Sequence, residues 1–130
     1  MSEEKNIRHN DGNITDYISP GKKVFLCGIG GVSMSALAEL LYRRGVKVSG
    51  SDRSEGEYIA DLRRDGIEVH IGHAAENLSD AGCVIRTAAV HDDNPEIAAA
   101  LSAGLPVFER AQAWGAITRE YEKAICIAGT

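Results

Sequence analysis

The stretch KKVFLCGIGGVSMSALAELLYRRG, residues 22–45, passes from an apolar strand through a cluster of glycines into a helical pattern. After the glycines, Met34, Leu37, Ala38 and Leu41 recur at helical spacing and form one apolar face. Arg43 and Arg44 fall in the last turn, where the helix dipole is negative, and Gly45 ends the helix. A strand feeding a helix in this way is the start of a crossover, and crossovers generate parallel sheets.

Outward from this stretch the pattern alternates. Apolar runs at KVFLCG, VKVSGS, IEVHIG, GCVIRT, LPVF and AICIAG are six candidate strands, separated by segments of helical composition. EYIADLRRDG predicts a helix with Tyr58, Ile59 and Leu62 inward and Gly66 as terminator. NPEIAAALSAG predicts another, with Asn94 as cap and Pro95 at the first helical position. The expected class is α/β: a doubly wound, Rossmann-like parallel sheet in the order 3-2-1-4-5 with helices on both faces. The strand at residues 124–128 is expected at a sheet edge or detached. Residues 1–13 are polar and unpatterned and are expected to be a flexible tail, so the domain is placed at 14–130.

Composition limits the function. A chain of 130 residues, 44% hydrophobic, suits one domain with its own core. A net charge of −5 argues against an extended nucleic-acid or anionic-membrane surface, so an anionic ligand must be held locally. There is no spanning apolar run and no signal-peptide core, and the chain reads as cytoplasmic. Cys27, Cys83 and Cys126 are far apart, each in an apolar run, and are expected to be buried free thiols.

The turn Gly28-Ile29-Gly30-Gly31 lies between a strand and a helix N-terminus, where bare backbone N–H groups and the helix dipole favour a phosphate, here a diphosphate. The dinucleotide fingerprint is incomplete, because Ser33 stands where its third glycine would be. Asp52, 24 residues after Gly28, takes the acidic position at the end of the second strand. At the other end, AICIAGT is an apolar strand leading into Gly-Thr, as a phosphate-binding P-loop begins. The expectation is a chain cut where an ATP-binding domain would start.

Taken together, KVFLCGIGGVSMSALAELL, VSGSD, IGHAAENL, HDDNPEI, VFERAQAWGAI and AICIAGT, in this order and spacing, resemble the N-terminal domain of the bacterial Mur ligases over about residues 14–130. Within the family the likeness is greatest to the branch that adds L-alanine; the D-glutamate-adding and tripeptide-recycling branches are alternatives. The resemblance implies an ATP-dependent ligase of peptidoglycan biosynthesis. It would join L-alanine to the lactyl carboxylate of UDP-N-acetylmuramate through an acyl phosphate, with ATP and Mg²⁺ held by a central domain. That domain and a C-terminal domain are absent from this chain, so no catalytic residue, cofactor or metal is expected within it, nor ligase activity from it alone. The N-terminal domain would bind UDP-N-acetylmuramate or UDP.

Carried over by residue, the resemblance assigns Gly28, Ile29, Gly30, Gly31, Val32 and Ser33 to the diphosphate turn, with Ser33 a departure that still offers a hydroxyl. Ser51 and Asp52 match the end of the second strand, where a carboxylate accepts from ribose hydroxyls or a uracil N–H. His73 follows the third strand at the C-terminal edge, where ligands of open α/β sheets bind, and no second ligand sits at metal-binding spacing beside it. His70 is expected to pack within its strand. Thr87 and Ala88 stand where the family commonly has two serines that contact the nucleotide, so one hydroxyl survives. Asp92, Asp93, Asn94 and Glu96 suit a helix start better than a metal site, and Asn94 and Arg110 are second-rank ligand candidates. Trp114 is read as core or interface. The rival from another class is an NAD-binding module of an oxidoreductase or redox sensor, with Asp52 reading the ribose 2′-hydroxyl.

Overall fold

The computed structural model describes residues 14–129; the expected tail over 1–13 lies outside them. After a helical stretch over 14–17 the order is β1 (Lys23–Cys27), α1 (Val32–Arg43), β2 (Lys47–Asp52), α2 (Glu57–Arg64), β3 (Glu68–Ile71), a 3-10 turn (Ala75–Leu78), β4 (Cys83–Arg86), α3 (Pro95–Ser102), β5 (Val107–Glu109) and α4 (Arg110–Gly129). The strands form one parallel sheet in the order β3-β2-β1-β4-β5, with Cys27 level with Ser51 and Arg86, and Ser51 level with His70.

Side-chain alternation divides the core into two layers. Val24 and Leu26 of β1, with Cys83 and Ile85 of β4, pack under α1, α2 and α4 through Met34, Leu37, Leu41, Ile59, Leu62, Ala113 and Ile117. Phe25, Cys27 and Val84 face the opposite layer, formed by Leu78, Ala81 and the α3 residues Ile97 and Ala100. Helices therefore cover both faces, and parity directs the Cys27 side chain toward α3. Met34, Leu37, Ala38 and Leu41 are all buried, and Gly45 and Gly66 follow their helices at φ 93° and 103°, left-handed positions that suit glycine. Tyr58, expected inward on α2, is instead 38% exposed; Ile59 and Leu62 alone form the inner face of that helix.

Two expectations fail at the C-terminal end. Residues 124–128 are not a strand but continue α4, which runs unbroken from Arg110 to Gly129. A strand satisfies its N–H and C=O groups only beside a partner, whereas a helix does so within the segment. In this part of the helix Ile125 is 67% exposed, and Cys126 is exposed rather than buried. Cys27 and Cys83 are buried free thiols. Among the described residues no helix is long and apolar enough to cross a membrane.

Candidate functional site

The C-terminal ends of β1, β2 and β4 open onto a cleft of about 500 Å³ lined by Gly28, Gly31, Asp52, Arg53, His73, Thr87, Ala89, Val90, His91, Asp93 and Asn94. It lies where the sheet order reverses, between β1 and β4, the place at which open α/β sheets leave a crevice.

The glycines of the turn have different jobs. Gly28 has φ 89°, which sets the reversal after β1, and its N–H and that of Ile29 both donate to the Ser51 carbonyl at 2.9 Å. Ile29 is wholly buried, so its side chain belongs to the core. A side chain on Gly30 would start 2.7 Å from Asp52 Oδ2 and 3.0 Å from Ile59 Cδ1, so this glycine is required by packing against β2 and α2. Gly31, by contrast, has ordinary extended angles, φ −72° and ψ 160°, and only the Gly28 carbonyl, 3.9 Å away, near its missing Cβ. It caps α1 with no side-chain hydrogen bond, and no acidic residue stands in the first turn of that helix, leaving its first N–H groups as donors for an anion.

Asp52 closes the turn from the β2 side. Its Oδ2 accepts from Gly30 N–H and its Oδ1 from Arg53 N–H, both at 2.8 Å. One donor of the turn is thus already engaged, and Asp52 faces the cleft as a fixed carboxylate. The exposed Val32 does not line the cleft, nor does Ser33, whose hydroxyl oxygen accepts from Trp114 Nε1 at 3.0 Å and so ties α1 to α4. Trp114 packs against the core, as expected.

Beneath the cleft sits a polar group that sequence reasoning did not assemble. Glu96, in the first turn of α3, is fully buried. Its Oε1 accepts from the Ser51 hydroxyl at 2.6 Å, lies 2.8 Å from His73 Nδ1 and takes the Cys27 thiol at 3.1 Å. Its Oε2 accepts from Asn77 Nδ2 at 2.8 Å and from Ala74 N–H at 3.3 Å. Burial pushes the Glu96 carboxyl up, but hydrogen bonds from Ser51, Asn77, Cys27 and His73 outweigh it and hold the group below the usual carboxylate range. The Cys27 thiol is pushed far up by burial and then by the neighbouring carboxylate, and burial alone pushes Cys83 up to about 12. Neither is a reactive thiolate.

The fold also brings Cys27, His73 and Glu96 together with their ligating atoms within 4.8 Å, so His73 does have neighbours at metal-binding distance that sequence spacing did not reveal. Hydrogen bonds already account for the cluster, and no buried side-chain nitrogen or oxygen among the described residues lacks a partner. Glu96 was legible in part: with Ile97 and Ala100 it shares the buried face of a short apolar helix, which marks it as an inward carboxylate.

The other sequence candidates divide. Thr87 lines the cleft, whereas the exposed Ala88 lines a neighbouring one beside Arg86 and Glu109. Asn94 lines the cleft while its side chain caps α3, accepting from Glu96 N–H at 2.9 Å. Arg110 begins α4, outside the cleft lining. His70 stays in β3, partly covered, 3.4 Å from Glu68. Arg53 and His91, which the sequence did not single out, add two basic side chains to the lining.

Comparison with known proteins agrees with this architecture. Residues 23–122 match the model described as Mur ligase family, catalytic domain. The UDP-N-acetylmuramate–L-alanine ligase of Alkaliphilus metalliredigens is 48% identical over 109 residues, covering 84% of this chain and 24% of that protein. The crystal structure of the UDP-N-acetylmuramate–alanine ligase of Thermotoga maritima superposes with a TM-score of 0.73 at 40% identity, over 75% of this chain and 23% of that one. The UDP-N-acetylmuramate:L-alanyl-γ-D-glutamyl-meso-diaminopimelate ligase of Neisseria meningitides gives 0.64 at 28% identity, over 68% of this chain and 28% of that one. The chain spans about a quarter of the length of the curated relative and of the Thermotoga structure. With the family model covering residues 23–122, this chain belongs to the Mur ligase family.

Proposed function

We propose that the cleft holds the uridine diphosphate part of UDP-N-acetylmuramate, and that the chain is the substrate-binding part of an ATP-dependent, L-alanine-adding ligase of peptidoglycan biosynthesis. The observation that carries this reading is the pairing of an uncapped α1 N-terminus at Gly31 with Asp52, His73 and Thr87 around one cleft at the sheet's switch point. The first N–H groups of α1 receive the diphosphate, because they are unfulfilled donors at the positive end of the helix dipole. Asp52 accepts from ribose hydroxyls or the uracil N–H, and Thr87 supplies a hydroxyl. Ile29, Val32 and Ser33 contribute backbone rather than side chain. Ala88 and Arg110, set apart from the cleft, are left for contacts with other parts of the ligand or protein.

The residues of this chain do not suit ATP and Mg²⁺. They include no Gly-Lys-Ser or Gly-Lys-Thr sequence, and the buried Glu96 carboxylate is engaged by five donors. These residues therefore supply no activation step, and the 130-residue chain alone is expected to bind without catalysing. Activation by ATP and Mg²⁺ belongs to central and C-terminal domains of the same protein. On this reading it works in the cytoplasm, without nucleic-acid or membrane partners.

Isothermal titration calorimetry with UDP-N-acetylmuramate, UDP, NAD and NADP tests the reading. UDP and UDP-N-acetylmuramate are expected to bind at about 100 μM to 1 mM, weak because contacts from the rest of the enzyme are missing. Tight NAD binding with no response to UDP would replace this reading by the dinucleotide one.

A further inference from the structure

We propose that Glu96 is a positioning residue that fixes the proton on His73 Nδ1, so that His73 offers a hydrogen bond to the ligand's diphosphate only as the imidazolium. The inference rests on the reading of the cleft as a diphosphate site and goes beyond it to how one side chain is made ready.

Ala74 N–H is a donor without alternative. Asn77 Nδ2 bridges Glu96 Oε2 and the Gly72 carbonyl, at 2.8 and 3.1 Å; both are acceptors, which fixes its amide orientation. The Ser51 hydroxyl and the Cys27 thiol donate to Oε1. Ser51 Oγ also lies 3.0 Å from His73 Nδ1, but its one hydrogen goes to Oε1, the shorter contact at 2.6 Å; an ionised carboxylate accepts only, so His73 Nδ1, 2.8 Å from Oε1, carries a hydrogen. The imidazole is thereby oriented and Nε2 is the ring nitrogen left for the cleft that His73 lines. In the neutral ring Nε2 is a lone pair, which repels an anion; in the imidazolium it is a charged donor.

Other ionisable groups face the same space. Cys27 reaches His73 from β1, 3.9 Å from Nδ1, and burial keeps it a neutral thiol. Asp52 and Arg53 stand at the end of β2, and His91 and Asp93 lie in the loop between β4 and α3 across the cleft. Among the described residues His91 is the one other imidazole in the lining, so the test must separate the two.

Glu96→Gln separates them. The donors at Oε2 force the new amide oxygen to that side and its NH₂ group toward Ser51 and His73, where Ser51 Oγ and a bare Nδ1 can accept. The imidazole then takes its proton on Nε2 and offers a neutral donor to the cleft at any pH, while His91 is untouched. The affinity of the 130-residue chain and of Glu96→Gln for UDP-N-acetylmuramate is measured by calorimetry between about pH 5.5 and 8.5; its doubly esterified diphosphate keeps one charge per phosphate across this range, whereas the terminal phosphate of UDP ionises at about pH 6. Across this range the unaltered chain is expected to lose about tenfold in affinity, the order of one charge-assisted hydrogen bond, and the variant to lose less than about twofold.

Nitrogen NMR of His73 in the unaltered chain is the second readout. It is expected to show the Nδ1–H form when neutral and decides the matter even if Glu96→Gln does not fold. A neutral His73 protonated on Nε2, or an equal pH slope in both proteins, overturns the proposal while leaving the diphosphate site intact. Absence of UDP-N-acetylmuramate binding at every pH overturns the site itself, and with it this inference about its ligand; the NMR result then still reports whether Glu96 sets the tautomer.

Discussion

The carboxylate of Glu96 and the hydroxyl of Ser51 meet at 2.6 Å, though they are 45 residues apart and both are fully buried. The bond joins the start of α3 to the end of β2 beneath the cleft. It exists because Cys27 and Ser51 are level in neighbouring parallel strands and both point toward the layer that α3 covers.

Removing this carboxylate strands several donors at once. Glu96→Ala is expected to destabilise the domain by about 2–4 kcal/mol, because Ser51, Asn77 and Ala74 N–H lose a buried acceptor and a cavity replaces it. Urea denaturation followed by circular dichroism measures it; a loss under about 0.5 kcal/mol would mean that water replaces the carboxylate fully.

The same group carries an acid dependence. Because its folded-state value is held below the usual 4.5, Glu96 stabilises the fold fully above the unfolded value and the contribution disappears as pH falls through the lower folded value. Melting temperatures recorded from neutral pH down to about pH 3 should fall more steeply for the unaltered chain than for Glu96→Gln, which has no proton to take up there. Parallel curves would contradict this.

Two adjacent glycines should respond oppositely to the same substitution. Gly30→Val drives a branched side chain into Asp52 and Ile59 and is expected to unfold the domain or lower its stability by about 2–4 kcal/mol. Gly31→Val meets open space and compatible backbone angles, so the fold should survive while UDP binding drops at least tenfold, because the side chain screens the α1 N-terminus. Thermal melts and calorimetry on the two variants separate packing from binding.

Thiol chemistry should distinguish the three cysteines. A disulfide reagent at pH 8 is expected to titrate one thiol per native chain, the exposed Cys126, and all three after denaturation. Cys27 and Cys83 are both shielded and held protonated by burial. Rapid reaction of two or more in the native protein would show that the β1 and β4 layers open readily.

Ser33→Ala should leave UDP affinity within about twofold, since the hydroxyl serves Trp114 rather than the cleft. It should lower stability by about 1 kcal/mol, the worth of one partly buried hydrogen bond, and shift the Trp114 fluorescence. A large loss of binding with no change in fluorescence would return Ser33 to the ligand.

Much of this protein was determined by sequence alone. The period of Met34, Leu37, Ala38 and Leu41, the stops at Gly45 and Gly66, and the Asn94-Pro95 cap are local rules of backbone and burial, and they sufficed for the α/β class and the glycine turn, while the strand order followed from the general Rossmann pattern. Tertiary structure decided the rest, because the remaining questions turn on partners distant in the chain. Residues 124–128 have the composition of a buried strand, but without a neighbouring strand to bond they continue α4. Gly30 was read as an opening for phosphate, yet Asp52 and Ile59, brought in from β2 and α2, are what exclude a side chain there. Glu96 was read as a dipole acid at a helix start; only the packing of α3 under β1 and β2 turns it into a buried acceptor for Ser51, His73 and Cys27, since burial and hydrogen-bond partnership are properties of the folded neighbourhood and not of the residue.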